Sequence, residues 1–88
     1  MNTTDQNRGK ILWADDEIDL LRSHVMFLEG KAFQVTTVTN GDDAIALCQN
    51  DRFDIVLLDE TMPGKDGLET LSILKAEFPA LPIIMITK

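Results

Sequence analysis

Two short stretches carry the acids that could do chemistry. Asp15-Asp16-Glu17 follows directly on the apolar run Ile11-Leu12-Trp13-Ala14, and Asp59 closes the apolar run Ile55-Val56-Leu57-Leu58. If both runs are strands of one parallel sheet, their carboxyl ends lie side by side, where open sheets hold their ligands. The same end would carry Thr87, which closes Pro82-Ile83-Ile84-Met85-Ile86. Carboxylates gathered so closely repel one another, so either some keep a proton or a hard cation sits among them. Mg²⁺ suits such a place: it takes oxygen ligands, keeps several waters and needs only one or two carboxylates directly. A carboxylate beside Mg²⁺ can also attack phosphorus to give an aspartyl phosphate, a transfer helped mostly by positioning and charge neutralisation. Asp59 ends the most apolar strand and is the candidate acceptor.

The elements that must position these groups follow from periodicity. Ile11-Leu12-Trp13-Ala14 and Ile55-Val56-Leu57-Leu58 are continuous apolar runs, as in strands covered on both faces. Between them, Ile18, Leu21, Val25 and Leu28 recur at helical spacing and predict a helix from Ile18 to Glu29 that follows the first strand directly, with Gly30 as its stop. Phe33 to Val38 is rich in β-branched residues and predicts a second strand, closed by Thr39-Asn40-Gly41. A second helix is expected from about Asp42 to Asn50, with Ala44, Ile45 and Cys48 inward and two acids at its positive end. A loop with Pro63, Gly64 and Gly67 leads to a third helix whose expected apolar side is Leu68, Leu71, Leu74 and Phe78, and Pro82 to Thr87 is the fourth strand. Alternating strands and helices with connections of this length predict an α/β fold around a parallel sheet. Residues 1–9 are polar and are expected to be a flexible lead-in.

With the elements in place, the run Ile11-Leu12-Trp13-Ala14-Asp15-Asp16-Glu17, the run Asp54 to Gly67 with its D-x-x-M-P-x-x-x-G pattern, and Pro82 to Thr87 together resemble the receiver domain of two-component response regulators. The resemblance covers residues 10–88. It implies a flavodoxin-like doubly wound parallel sheet in strand order 2-1-3-4, truncated after the fourth strand. It implies that Asp59 accepts a phosphoryl group from a sensor histidine kinase, and that Asp16 binds Mg²⁺ directly, with Asp15 binding it directly or through water. Asp59 and the backbone carbonyl of Thr61 would complete the metal's protein ligands, and the Thr61 side chain would tune dephosphorylation. Thr87 would turn its hydroxyl toward the phosphoryl oxygens, and Pro63 and Gly67 would shape the loop. The implied role is a switch acting on an effector domain or partner protein, not a turnover enzyme. Trp13 and the Asp16-Glu17-Ile18-Asp19-Leu20-Leu21 opening of the first helix are most similar to Bacteroidetes regulators linked to type IX secretion.

Receiver domains continue through a fourth helix, a fifth strand bearing a lysine and an aromatic residue, and a fifth helix, so the resemblance implies a piece of a longer reading frame. Lys88, directly after Thr87, is not that lysine. Taken alone, the chain is expected to leave its fourth strand as an apolar edge, with a fold that is marginal or oligomeric, a dimer being one such form. An alternative reading is a pseudo-receiver, an interaction module that keeps the fold without the phosphorylation chemistry. A looser likeness of Asp59-Glu60-Thr61 to the first motif of haloacid dehalogenases wants an aspartate where this chain has Thr61.

Composition narrows the remaining classes. With 88 residues there is room for one domain, and 15 acidic against 8 basic residues give a net charge of −7, which repels nucleic acid phosphates and anionic lipid. Direct contact with nucleic acid or membrane is therefore not expected. Cys48 has no second cysteine to pair with, and with His24 alone it cannot build a four-ligand zinc site. His24 is read as a surface residue and Cys48 as a small core hydrophobe. Lacking a long apolar run or a basic-then-apolar leader, the chain is assigned to the cytoplasm.

Overall fold

A computed structural model describes residues 8–87. Four strands, β1 (Gly9–Ala14), β2 (Phe33–Val38), β3 (Ile55–Asp59) and β4 (Ile83–Ile86), alternate with the helices α1 (Arg22–Gly30), α2 (Gly41–Asn50) and α3 (Gly67–Glu77). The strands form one parallel sheet in the order β2-β1-β3-β4, the order the resemblance implies. Continuous apolar character marks the inner strands: Ile11 to Ala14 are all buried, while β2 and β4 at the margins have only half-buried and exposed positions. Successive side chains point to opposite faces. Leu12, Ala14, Val56 and Leu58 join Ala44 and Cys48 of α2 and Leu74 of α3 in one core. On the opposite face Trp13 and Leu57 meet Phe27 and Leu28 of α1 around a cavity of about 410 Å³. Helices on both faces make the sheet doubly wound.

Of the expected lead-in, residues 1–7 lie outside the described residues, and Gly9 already belongs to β1, with the Arg8 N–H donating to the Ala32 carbonyl at 2.8 Å. Lys88 also lies outside them.

Three local expectations are corrected. The helix predicted from Ile18 begins as a 3-10 turn, Ile18–Leu21, and becomes α-helical only at Arg22. The cause lies at Asp15, whose carbonyl accepts the Ile18 N–H at 3.2 Å and whose Oδ1 accepts the Glu17 N–H at 2.8 Å, turning the chain too tightly for an α-helical start. Gly30 is the last helical residue rather than the stop. The left-handed residue of this turn is Ala32, with φ of 72°, after the Lys31 N–H closes back on Phe27 and Leu28. In α3 the buried stripe is Gly67, Thr70 and Leu74, with Leu68 58% exposed. Gly67 sets that rotation, because a Cβ there would run into the carbonyl of Asp59 and the backbone of Glu60, so the helix presents this residue to β3 and turns Leu68 outward.

Helix starts at the site end of the sheet are held by side-chain caps. Asn40 Oδ1 accepts the Asp43 N–H at 2.8 Å at the start of α2, and Asp66 Oδ1 accepts the Glu69 N–H at 2.9 Å at the start of α3. Among the described residues β4 pairs only with β3, and Ile84 is 51% exposed.

Candidate functional site

Sheet register brings the acids together. Ala14 pairs with Leu58, so the residues that follow, Asp15 and Asp59, stand level at the carboxyl end of the two inner strands. Both are buried, and the ladder holds each from outside: the Asp15 N–H donates to the Val38 carbonyl of β2 at 3.0 Å, and the Glu60 N–H donates to the Ile86 carbonyl of β4 at 3.0 Å. Each carboxylate also accepts a backbone N–H from two residues further on, Asp15 from Glu17 at 2.8 Å and Asp59 from Thr61 at 3.2 Å. Such Asx turns orient an aspartate through its own chain.

Beyond the buried pair the chain becomes wet. Asp16 and Glu17 are exposed, and one carboxylate oxygen from each of Asp15, Asp16 and Glu17 lies within 4.8 Å of the others. Asp16, Glu17, Asp59, Glu60 and Thr61 line a common cleft of about 250 Å³. An all-oxygen, strongly anionic donor set open to water on one side fits a hard divalent cation that keeps part of its hydration. It does not fit zinc, which prefers nitrogen and sulfur.

The expected residues thus fall into two groups. Asp15, Asp16, Asp59 and Thr61 converge at the ends of β1 and β3. Thr87 stands directly after Ile86, the register partner of Asp59, and is exposed at the same end of the sheet, outside the residues that line the cleft. Glu60 is a lining residue that the sequence reading did not single out; its only signal was adjacency to Asp59. Glu17 was noted as part of the acidic run, and the structure brings its carboxylate into the cluster. His24 is exposed and lines the cavity beneath α1, away from the acids, and Cys48 is buried in the core, where desolvation pushes its thiol pKa above the ordinary value.

The loop from β3 to α3 is fixed at both ends. The Gly67 N–H donates to the Glu60 carbonyl at 2.9 Å, and Met62 is buried in the core. Gly41, the first residue of α2, has no room for a Cβ against the Thr70 hydroxyl, which in turn donates to the Asp66 carbonyl at 2.8 Å.

An acidic triplet after β1, a buried aspartate at the tip of β3 and a glycine-tight loop into α3 occur here in one arrangement. Residues 11–88 match the response regulator receiver domain family. The chain belongs to that family. This receiver domain is 42% identical over 81 residues to the transcriptional regulatory protein ResD of Bacillus subtilis, an alignment covering 92% of this chain and 33% of ResD. The chain therefore spans about a third of that relative's length. Among solved structures, it is similar to the receiver domain of the Francisella response regulator 1452, with a TM-score of 0.84 and 26% identity over 91% of this chain and 66% of the other. It is also similar to the response regulator TrrA of Thermotoga maritima in complex with Mg²⁺ and BeF, with a TM-score of 0.83 and 29% identity over 89% and 68% of the two chains. The flavodoxin-like order of strands and the receiver assignment agree with the sequence reading. Among the described residues no helix is long and apolar enough to cross a membrane.

Proposed function

We propose that this receiver domain is a phosphoacceptor switch in which Asp59 takes a phosphoryl group from a sensor histidine kinase. In that step an Asp59 carboxylate oxygen forms a bond to phosphorus as the phosphorus–nitrogen bond of the donor breaks, and the donor imidazole leaves with a proton. The observation that carries this reading is that Asp59, buried at the end of an inner strand, opens into the same cleft as Asp16, Glu17 and Thr61. Burial and the Thr61 N–H fix the nucleophile's direction, so little orientational freedom is left to lose on approach to phosphorus.

Asp15 and Asp16, with Asp59 and the Thr61 carbonyl, are the residues that would hold Mg²⁺, and Glu17 adds negative charge beside them. Bound there, Mg²⁺ supplies neutralisation of the charge that gathers on the phosphoryl oxygens. The complex of the related TrrA with Mg²⁺ and BeF supports this choice of ion. Thr87, at the same end of the sheet, would sense the new anion through its hydroxyl, and an effector domain or partner protein would read the change. The module modifies itself and relays the result rather than turning over a substrate, and it works in the cytoplasm.

Intact-mass spectrometry after incubation with acetyl phosphate and Mg²⁺ tests the reading. The expected result is one phosphoryl adduct, absent from Asp59→Asn and from an EDTA control. An adduct that survives in Asp59→Asn, or none on the folded wild-type chain in Mg²⁺, would overturn it.

A further inference from the structure

Lys65 is the one basic residue between β3 and α3, and it sits where that loop is least held. On one side Thr61 and Met62 are tied to Asp59 and the core, and on the other Asp66 and Gly67 are tied to α3 and Glu60. Between them Pro63 and Gly64 are exposed, and Gly64 has φ of 73° with open space where a Cβ would stand. The Lys65 side chain is only 23% exposed. Its ammonium lies 3.6 Å from Asp42 Oδ1 in the first turn of α2 and 3.8 Å from Glu69 Oε2 in the first turn of α3. Its carbonyl lies against Gly41, where a Cβ would come within 3.1 Å. One residue thus ties the loop to two helices at once.

We infer that Lys65 is a positioning residue: by bridging Asp42 and Glu69 it holds the β3–α3 loop in the arrangement that brings Thr61 to the acidic cleft. The inference rests on the reading of that cleft as a Mg²⁺ and phosphoryl site. Each ion pair is long and its carboxylate exposed, so neither contributes much to global stability. Their effect falls on the loop, whose free segment is short and otherwise unanchored.

The sign of one measurement separates this role from a general charge effect. On Coulombic grounds alone, deleting a positive charge near an anionic site makes a cation bind more tightly. A tether predicts the reverse, because the loop loses its arrangement. Isothermal titration of the chain with Mg²⁺ alone is therefore the test. Lys65→Met, which keeps the stem and removes the charge, is expected to weaken Mg²⁺ binding about three- to fivefold, with Lys65→Arg within about twofold of wild type. With acetyl phosphate, labelling by Lys65→Met should slow at low Mg²⁺ and recover at saturating Mg²⁺. Unchanged or tighter Mg²⁺ binding by Lys65→Met overturns the inference, and Lys65→Gln carries the same comparison if the methionine variant does not fold. Failure of the wild-type chain itself to bind Mg²⁺ would instead overturn the reading of the cleft, and the inference with it.

Discussion

Asp15 and Asp59 stand level across the two inner strands, one residue beyond the register pair Ala14 and Leu58, and each accepts a backbone N–H from two residues further along its own chain. The site is therefore a product of strand register. A slip of one residue between β1 and β3 would separate the acids and turn every side chain of the slipped strand to the wrong face. Because Leu12 and Val56 are both fully buried, that slip would expose the core, and the hydrophobic pattern thus protects the geometry of the acids.

Metal binding should reverse the sign of an acid's effect on stability. Without metal, Asp16→Asn removes one of several crowded negative charges and should raise the melting temperature slightly. Mg²⁺ at ~100 times its dissociation constant should raise the wild-type melting temperature by about 10–20 °C, and the variant should lose most of that rise. Thermal melts in EDTA and across a Mg²⁺ series check both halves; an equal rise in the variant would remove Asp16 from the site.

Two glycines at the site's back wall should fail in different ways. A Cβ at Gly67 meets the backbone of Asp59 and Glu60, which cannot retreat, so Gly67→Ala should cost about 2–3 kcal/mol in any background. A Cβ at Gly41 meets the Thr70 side chain, so Gly41→Ala combined with Thr70→Ala should cost less than the sum of the two single changes. Urea unfolding of the singles and the double measures the difference, and strict additivity would refute the contact.

Ala32 carries a backbone strain that a glycine would relieve. With φ of 72° it occupies the left-handed region, which disfavours a Cβ. Ala32→Gly should stabilise the chain by about 0.5–1 kcal/mol, the strain relief outweighing the extra freedom of the unfolded chain. A lower denaturation midpoint in this variant would contradict the turn.

At the opposite end of the sheet from the acids, the Lys10 ammonium donates to both Asp51 oxygens at 2.7 Å, and with the Arg52 N–H it holds the Asp51 carboxyl below its ordinary value of 3.8. A lowered folded-state pKa stabilises above the unfolded value, and that contribution disappears as pH falls through the folded one. Asp51→Asn should therefore be less stable than wild type at neutral pH, and the gap should close in acid, below the lowered value. Denaturant midpoints measured across that range test it, and a gap constant with pH would show that Lys10 does not act through the charge.

Much of this was legible in the sequence because the inner strands bury both faces and so advertise themselves as unbroken apolar runs ending in acids. Asp15, Asp16 and Asp59 could be placed once those runs were read as parallel strands, whereas Thr61 entered only through the family resemblance. What stayed hidden depends on contacts between elements. The rotation of α3 is set by Gly67 against β3, so Leu68 counted as inward by periodicity turns outward while Thr70 turns in. The turn at Ala32 carries no glycine, and Gly30 drew attention to the wrong residue. Lys65 gave no signal in the sequence, because its partner Asp42 belongs to a different helix and only the fold brings the two together.

The central place of β1 also has a consequence for how the chain is made. β1 is synthesised first, yet its two neighbours are β2 and β3, and the second of these arrives only after α1, β2 and α2. Leu12 and Trp13 must wait, partly uncovered, until the ribosome has released the segment ending at Asp59, and closing that long loop is the slow part of assembling a parallel sheet. The residue proposed to receive the signal is thus also the last of the strand whose arrival completes the middle of the fold.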